Sequence, residues 1–159
     1  METLDHQHIA RLFKEESFPL EARLGDLLES NMSEFCRDIF GFPPLYVKRE
    51  FRLGQTIVHK SIKPPTIDFL VELTNGSRVG IECKGSNKST PEIVAGLSQL
   101  LAYSIYADGL GTPFDELVLV SGTYHPILQR VVEKYHLPVR VVFLSKRQKL
   151  VYVPRKSAK

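Results

Sequence analysis

The strongest constraint on the fold comes from two segments of alternating apolar residues, 66–73 (TIDFLVEL) and 78–85 (RVGIECKG), separated by four residues that contain an Asn-Gly pair. The apolar residues at alternate positions are Phe69, Val71 and Leu73 in the first segment and Val79, Ile81 and Cys83 in the second. A period of two is typical of a β-strand with one buried face, and Asn-Gly is typical of a hairpin turn. These segments therefore predict an antiparallel β-hairpin.

The register of this hairpin decides which polar residues meet. A two-residue turn at the Asn-Gly pair would place the two apolar sets on opposite faces of the hairpin. Both sets share one face if Leu73 opposes Val79, which requires a loop with an odd number of residues, three or five. Each buried apolar side chain contributes about 1.5–3 kcal/mol, and together they outweigh a preferred turn type. We therefore predict the odd loop, with Asp68 opposite Lys84.

Three charged residues lie on the other face of the predicted hairpin: Asp68, Glu82 and Lys84. In the predicted register Glu82 is diagonal to Asp68, so both carboxylates can reach one ion. Close carboxylates repel each other unless a cation joins them, and oxygen ligands suit Mg²⁺ or Mn²⁺. An adjacent lysine can orient or deprotonate a water for attack on phosphorus. The cluster therefore predicts a metal-dependent phosphodiesterase site, and the alternative is a structural salt-bridge network.

The rest of the chain alternates between helical and strand patterns. Apolar residues at helical spacing predict helices over 19–38, 89–109 and 125–137, the second of them capped by Ser89 or Thr90. Apolar or β-favouring runs predict further strands at 45–53, 116–121, 139–144 and 149–154. This order predicts an α/β fold with a central mixed β-sheet flanked by helices, in one domain over 1–159.

The composition is that of an ordinary globular chain, with 43% apolar and 25% charged residues among 159. No apolar run approaches the roughly 20 residues that span a bilayer, and the N-terminus is too charged for a signal peptide, so we expect no membrane partner. Two cysteines, Cys36 and Cys83, lack the number and spacing of a disulfide framework. We therefore expect a cytoplasmic protein with reduced cysteines.

Positive charge is concentrated at the C-terminal end. Seven Lys or Arg and no acidic residue occur over 140–159, although the whole chain has a net charge of only +3. Contacts from Lys and Arg to phosphates supply most of the nonspecific affinity of proteins for nucleic acids. This end therefore suits a polyanion such as DNA, and the alternative is a solvated tail.

The segment PPTIDFLVELTNGSRVGIECKG resembles the core of the PD-(D/E)XK nuclease superfamily, whose motif is an Asp, a variable spacer and Glu-x-Lys across a β-hairpin. The α-β-β-β-α-β core of that family matches the element order predicted over about 19–122. The resemblance implies the restriction-endonuclease-like fold and a Mg²⁺- or Mn²⁺-dependent nuclease. It also implies that Asp68, Glu82 and the Cys83 carbonyl bind the metal, and that Lys84 acts on the attacking water.

Two helices extend the resemblance. Gln99 and Tyr103 are similar to the Q-x-x-x-Y motif of the RecB-type branch, in which the glutamine points into the active site and would orient the water or a phosphate. The alternative is a polar helix face with an aromatic rim. Many branch members, including archaeal Holliday-junction resolvases, complete the metal site with a glutamate of the first helix. We assign this role to Glu21, since Asp26 and Glu29 are expected to be more solvated.

Residues around the predicted site are candidates for contacts to nucleic acid. Lys88 closely follows the second hairpin strand, and Thr123, Tyr124 and His125 follow the buried strand at 116–121. Tyr103 of the helix pair is a further candidate. The alternatives are a solvated loop lysine at 88 and a helix cap at 125.

The expected function is a magnesium-dependent deoxyribonuclease that hydrolyses phosphodiester bonds with an activated water. One alternative is a Holliday-junction resolvase, which would act as a homodimer. The other alternative is a catalytically silent nucleic-acid-binding module of the same fold.

Overall fold

The computed structural model describes residues 21–53, 65–85, 89–144 and 150–152, and for residues 21, 22 and 150–152 it describes the backbone alone. The helices are α1 (Glu21–Ser30), α2 (Met32–Phe40), α3 (Thr90–Gly109) and α4 (Pro126–Tyr135). The strands are β1 (Pro44–Arg52), β2 (Thr66–Leu73), β3 (Arg78–Lys84), β4 (Glu116–Ser121), β5 (Arg140–Leu144) and β6 (Leu150–Tyr152). This order confirms the predicted α-β-β-β-α-β core.

All six strands form one sheet in the order β1-β2-β3-β4-β5-β6. The first three strands pair antiparallel, β3, β4 and β5 pair parallel, and β6 returns antiparallel to β5. Parallel neighbours need a crossover connection, and α3 and α4 supply the two that this sheet requires. The predicted mixed sheet flanked by helices is therefore confirmed.

Two apolar cores cover the two faces of the sheet. The α3-side core is built from α3, α4 and alternate strand residues such as Leu119 and Phe143. The α1-side core is built from α1, α2 and the intervening strand residues such as Val118 and Val120. This alternation along β4 gives a three-layer arrangement of helix, sheet and helix. Within the described residues, no helix has the length and apolar character needed to cross a membrane.

The helix predicted over 19–38 is divided into α1 and α2 at Asn31. Asn31 has φ −118° and ψ 21°, and its side-chain amide donates a hydrogen bond to the Leu27 carbonyl at 2.9 Å. Asparagine side chains compete with the backbone for hydrogen bonds in this way, which interrupts helices. The prediction of one continuous helix was therefore wrong at this residue. The second helix ends at Phe40, and the φ of 80° at the following Gly41 is typical of a glycine after a helix.

The hairpin between β2 and β3 has the odd loop that its apolar pattern predicts. Ser77 lies opposite Leu73, whose N–H donates to the Ser77 carbonyl at 2.9 Å, so the loop between these two residues consists of the three residues 74–76. Gly76 has φ 88°, the left-handed conformation that three-residue hairpin loops place at a glycine.

The predicted pairing within the hairpin was wrong by two residues. Val79 pairs with Val71 and not with Leu73. The predicted pairing of Val79 with Leu73 would need a five-residue loop, which is longer than the observed loop. An offset of two does not change the face on which a paired residue lies. The alternate apolar residues from Phe69 to Leu73 and from Val79 to Cys83 therefore pack in the α1-side core, while Lys84 faces α3.

Candidate active site

Asp68 lies where β2 and β3 stop pairing. The last pair of the ladder joins Phe69 to Ile81. The prediction that Asp68 lies opposite Lys84 was therefore wrong. Its half-buried carboxylate instead reaches across to β3, where Oδ2 accepts a hydrogen bond from the Cys83 N–H at 2.7 Å. This bond holds the carboxylate beside the strand that carries the other two charged residues.

Glu82 and Lys84 form an ion pair between the sheet and α3. The Lys84 Nζ lies 3.9 Å from the Glu82 Oε1, and their side chains are 13% and 7% exposed. Charges buried to this degree are weakly screened by salt and cost desolvation energy, which a surface pair does not. Stability alone does not explain such a pair well, because well-packed apolar residues at the same positions often stabilise a fold as much.

Gly96 of α3 allows the helix to lie directly against Lys84. A Cβ atom at this position would lie 3.2 Å from Lys84 Cε and 2.9 Å from a methyl carbon of Leu119. The missing side chain therefore makes room for the aliphatic stem of Lys84. The sequence signal for this contact is the glycine itself, since a glycine inside a helix often has a packing reason.

The Cys83 carbonyl faces the same strand edge as the Asp68 carboxylate. The N–H and C=O of one strand residue point to the same neighbour, and alternate residues point to opposite neighbours. The Cys83 N–H points to Asp68, whereas the Lys84 carbonyl accepts the Gly122 N–H at 2.8 Å on the β4 side. The Cys83 carbonyl therefore points to the edge where Asp68 lies, as a shared metal site would require.

Tyr103 is buried beside the two carboxylates, and Gln99 is exposed. Burial, with the nearby negative charges of Glu82 and Asp68, raises the pKa of the Tyr103 hydroxyl to about 12. Its ring packs in the α3-side core, so it is not open to stack on a nucleic-acid base. Gln99 lies one turn before Tyr103 on α3, and its side chain is exposed.

The loop after β4 lies next to Lys84, as predicted from its position directly after a buried strand in the sequence. Lys84 pairs with Ser121 of β4, whose hydroxyl donates to the Thr123 carbonyl at 2.7 Å. Tyr124 is buried, with its ring 4.9 Å from that of Phe143, so base stacking is not expected there either.

His125 occupies the N-cap position of α4 but makes no side-chain cap hydrogen bond there. Burial lowers the pKa of its imidazole from the ordinary value of 6.5, so the ring is mainly neutral near pH 7. A neutral imidazole can still donate one hydrogen bond to a phosphate.

The remaining predicted residues lie outside what the structure describes or serve other contacts. The side chain of Glu21 and the whole of Lys88 lie outside the described residues. Asp26 and Glu29 both bind Arg49, at 2.6 and 2.9 Å. Over 21–53, 65–85, 89–144 and 150–152, no group of three or more His, Cys, Asp or Glu side chains is arranged to hold a metal ion.

The donor set around β3 nevertheless has the chemistry of a hard-cation site. Two carboxylates and one backbone carbonyl are oxygen ligands, which Mg²⁺ and Mn²⁺ prefer. The residues Asp68, Glu82 and Cys83 therefore fit such an ion by ligand type.

No protein-family model matches the chain, and no curated protein is significantly similar in sequence. Among solved structures, the fold is similar to a repair endonuclease from Pyrococcus abyssi, with 20% identity and a TM-score of 0.40, over 71% of this chain and 46% of that one. It is also similar to EndoMS in a complex with dsDNA, with 18% identity and a TM-score of 0.40, over 80% of this chain and 46% of that one. The chain thus spans about half the length of each of these proteins.

Proposed function

We propose that this chain is a metal-dependent DNA nuclease that hydrolyses phosphodiester bonds with an activated water. The observation that supports the proposal most is that the Asp68 carboxylate binds the Cys83 N–H, between Glu82 and Lys84, which form a buried ion pair. Two carboxylates and an ammonium group on neighbouring strands are suited to phosphoryl chemistry and poorly suited to stability alone.

In this proposal Lys84 acts on the attacking water. Its stem is held along Gly96 and its ammonium group near Glu82, so the donor is oriented before substrate binds. From there it orients the water and offsets the negative charge that develops around phosphorus. Gln99 is exposed and lies one turn after Gly96 on α3, and in this proposal it would orient the water or a phosphate oxygen.

Asp68, Glu82 and the Cys83 carbonyl would hold a Mg²⁺ or Mn²⁺ ion, with Glu21 supporting a ligand. When bound, such an ion polarises a phosphoryl oxygen and lowers the pKa of a coordinated water. The hydrogen bond from the Cys83 N–H keeps the Asp68 carboxylate in place for this role.

DNA is proposed as the substrate because of the basic C-terminal end. Arg140 is not available for this purpose, since its guanidinium donates to the Ile39 carbonyl at 2.7 Å and lies 3.7 Å from Glu116. The other basic residues of 140–159 lie outside the described residues. Lys88, Thr123 and His125 are proposed as further phosphate contacts.

The test is a cleavage assay with purified protein, Mg²⁺ or Mn²⁺, and linear, single-stranded and branched DNA. We expect cleavage that chelation abolishes and that Lys84→Ala and Asp68→Asn each reduce by at least about 100-fold, the usual size of one lost catalytic group. Lys134→Ala, which removes an exposed lysine of α4 away from these residues, is the matched control and should cleave normally.

Failure to cleave any substrate, or full activity in Lys84→Ala, would contradict the proposal. Metal-independent DNA binding without cleavage would favour the silent binding module. Cleavage confined to branched DNA, together with a dimer mass in solution, would favour the junction resolvase.

A further inference from the structure

Glu50 has a backbone conformation that is unusual for its position in a strand. It lies inside β1 with φ 53°, in the left-handed region that L-residues other than glycine, asparagine and aspartate rarely adopt. Its side chain is exposed. Such a residue persists in a strand only when the surrounding structure imposes it, and such residues often occur at functional sites.

This conformation occurs directly across from Asp68. The flanking pairs of the β1–β2 ladder are Arg49 with Phe69 and Phe51 with Ile67, so Glu50 and Asp68 lie between them. The two strands are thus distorted at the same point, where Asp68 leaves the pairing with β3.

At this distortion both strands turn over, so that the side chains before it and after it face opposite sides of the sheet. Phe69 packs in the α1-side core, and the Arg49 guanidinium lies over its ring at 5.7 Å. Two residues further along, Ile67 and its partner Phe51 pack in the α3-side core. Regular alternation would put Ile67 and Phe69 on the same face, so β2 turns over between them.

We propose that the left-handed conformation of Glu50 is a positioning device that turns Asp68 out of the sheet and onto the Cys83 N–H. A regular strand would direct the Asp68 side chain straight out of one face of the sheet. With the strand turned at this point, the carboxylate lies along the sheet and accepts the bond from β3 at 2.7 Å. Glu50 acts through its backbone in this proposal, and its carboxylate has no part in it.

The consequence for catalysis rests on the proposed function, but the conformational part does not. Asparagine and glycine tolerate the left-handed region, alanine tolerates it less, and β-branched valine least. Glu50→Gly, Glu50→Asn and Glu50→Val all remove the carboxylate, so they separate the effect of charge from the effect of conformation. Lys48→Val is the matched control, because Lys48 is exposed on the same strand and pairs regularly with Leu70.

The first measurement is hydrogen exchange and the amide proton shift of Cys83 by NMR on the full chain. Asp68→Ala removes the acceptor, so its Cys83 exchange rate and amide proton shift are the reference values for a protein without this hydrogen bond. We expect wild-type values in Glu50→Gly, Glu50→Asn and Lys48→Val, and exchange at least about tenfold faster in Glu50→Val, because valine strongly disfavours this conformation. If Glu50→Val does not fold, slower exchange in Glu50→Gly than in Glu50→Ala gives the same answer.

The second measurement is Mn²⁺-dependent cleavage by the same variants. We expect kcat to fall by about tenfold or more in Glu50→Val with little change in KM for DNA, and to stay near wild type in Glu50→Gly and Glu50→Asn. Equal loss in all three variants would show that the carboxylate acts, and an unchanged Cys83 amide in Glu50→Val would also overturn the proposal. Absence of cleavage in the wild type would instead reject the proposed function, while the amide measurements would still decide the role of Glu50.

Discussion

At the scale of single residues, β3 combines two requirements in alternate positions. Its apolar residues Val79, Ile81 and Cys83 fix the strand against the α1-side core. The intervening Glu82 and Lys84 face the other way and pair under α3. Because the first set pins the strand, the second set can hold charges that are unfavourable to bury.

Two buried side chains that lose a proton at high pH, Cys36 and Tyr103, predict how the stability of the fold changes in alkaline solution. Burial raises the pKa of Cys36 from 9.0 to about 12, and the pKa of Tyr103 from 10.0 to about 12. Each group is neutral when protonated, so the unfolded chain ionises first as the pH rises. Stability is therefore full below pH 9.0 and falls towards pH 12, by about 1.4 kcal/mol per pH unit for Cys36.

Urea unfolding under reducing conditions, repeated over this pH range, measures the slope. Cys36→Ala should flatten the fall in the free energy of unfolding that begins near pH 9.0, while leaving the contribution of Tyr103 above pH 10.0. The comparison uses slopes, since the substitution also removes buried volume. An identical slope in Cys36→Ala and wild type would contradict the assignment.

At the scale of elements, a local sequence signal fixes the start of α3, the helix that covers the candidate site. Ser89 caps the helix by accepting the Glu92 N–H, and the Glu92 carboxylate accepts the Ser89 N–H in return. The sequence left Ser89 and Thr90 as alternatives, and the structure assigns the cap to Ser89. This capping box begins the helix that presents Gly96 to Lys84.

Ser89→Ala should lower the free energy of unfolding by about 1 kcal/mol, because the first turn of α3 loses an acceptor for its N–H groups. For a domain of this size the melting temperature should fall by about 2–4 °C. Ser98→Ala is the control, since Ser98 is exposed in the middle of the same helix and alanine is the better helix former there. Equal melting temperatures for the two variants would show that the cap contributes nothing.

At the scale of the whole molecule, the proposed metal site joins two neighbouring strands of the sheet. Asp68 and Glu82 belong to neighbouring strands, and Glu82 lies between the sheet and α3. An ion that binds these carboxylates binds only the folded chain, because the unfolded chain does not bring them together. Its binding free energy is then added to the stability of the fold.

Mn²⁺ at about 100 times its Kd should therefore stabilise the wild type by about 2.7 kcal/mol and raise the melting temperature by about 5–10 °C. Asp68→Asn should lose this increase, because it removes one ligand charge. Asp108→Asn, which neutralises an exposed acid near the end of α3, should keep it. Thermal unfolding with and without Mn²⁺ measures the difference, and an equal increase in all three proteins would place the ion elsewhere.

The sequence by itself determined the order of the elements and the faces of the hairpin strands. Both follow from the period of apolar residues, which is a local property. It also placed Glu82 and Lys84 on one face, since a shift of two residues in register leaves faces unchanged. The same local pattern predicted the odd loop around Gly76, which has three residues.

Only the tertiary structure decided which polar and aromatic residues the cores would enclose. Tyr103 and Tyr124 are buried and Gln99 is exposed because the packing of α3 and the loop after β4 covers some positions and leaves others open. The orientation of Asp68 depends on a distortion shared by β1 and β2, which are distant in sequence. Periodicity reports the face of a residue, whereas burial, register and backbone distortion depend on which elements pack against it.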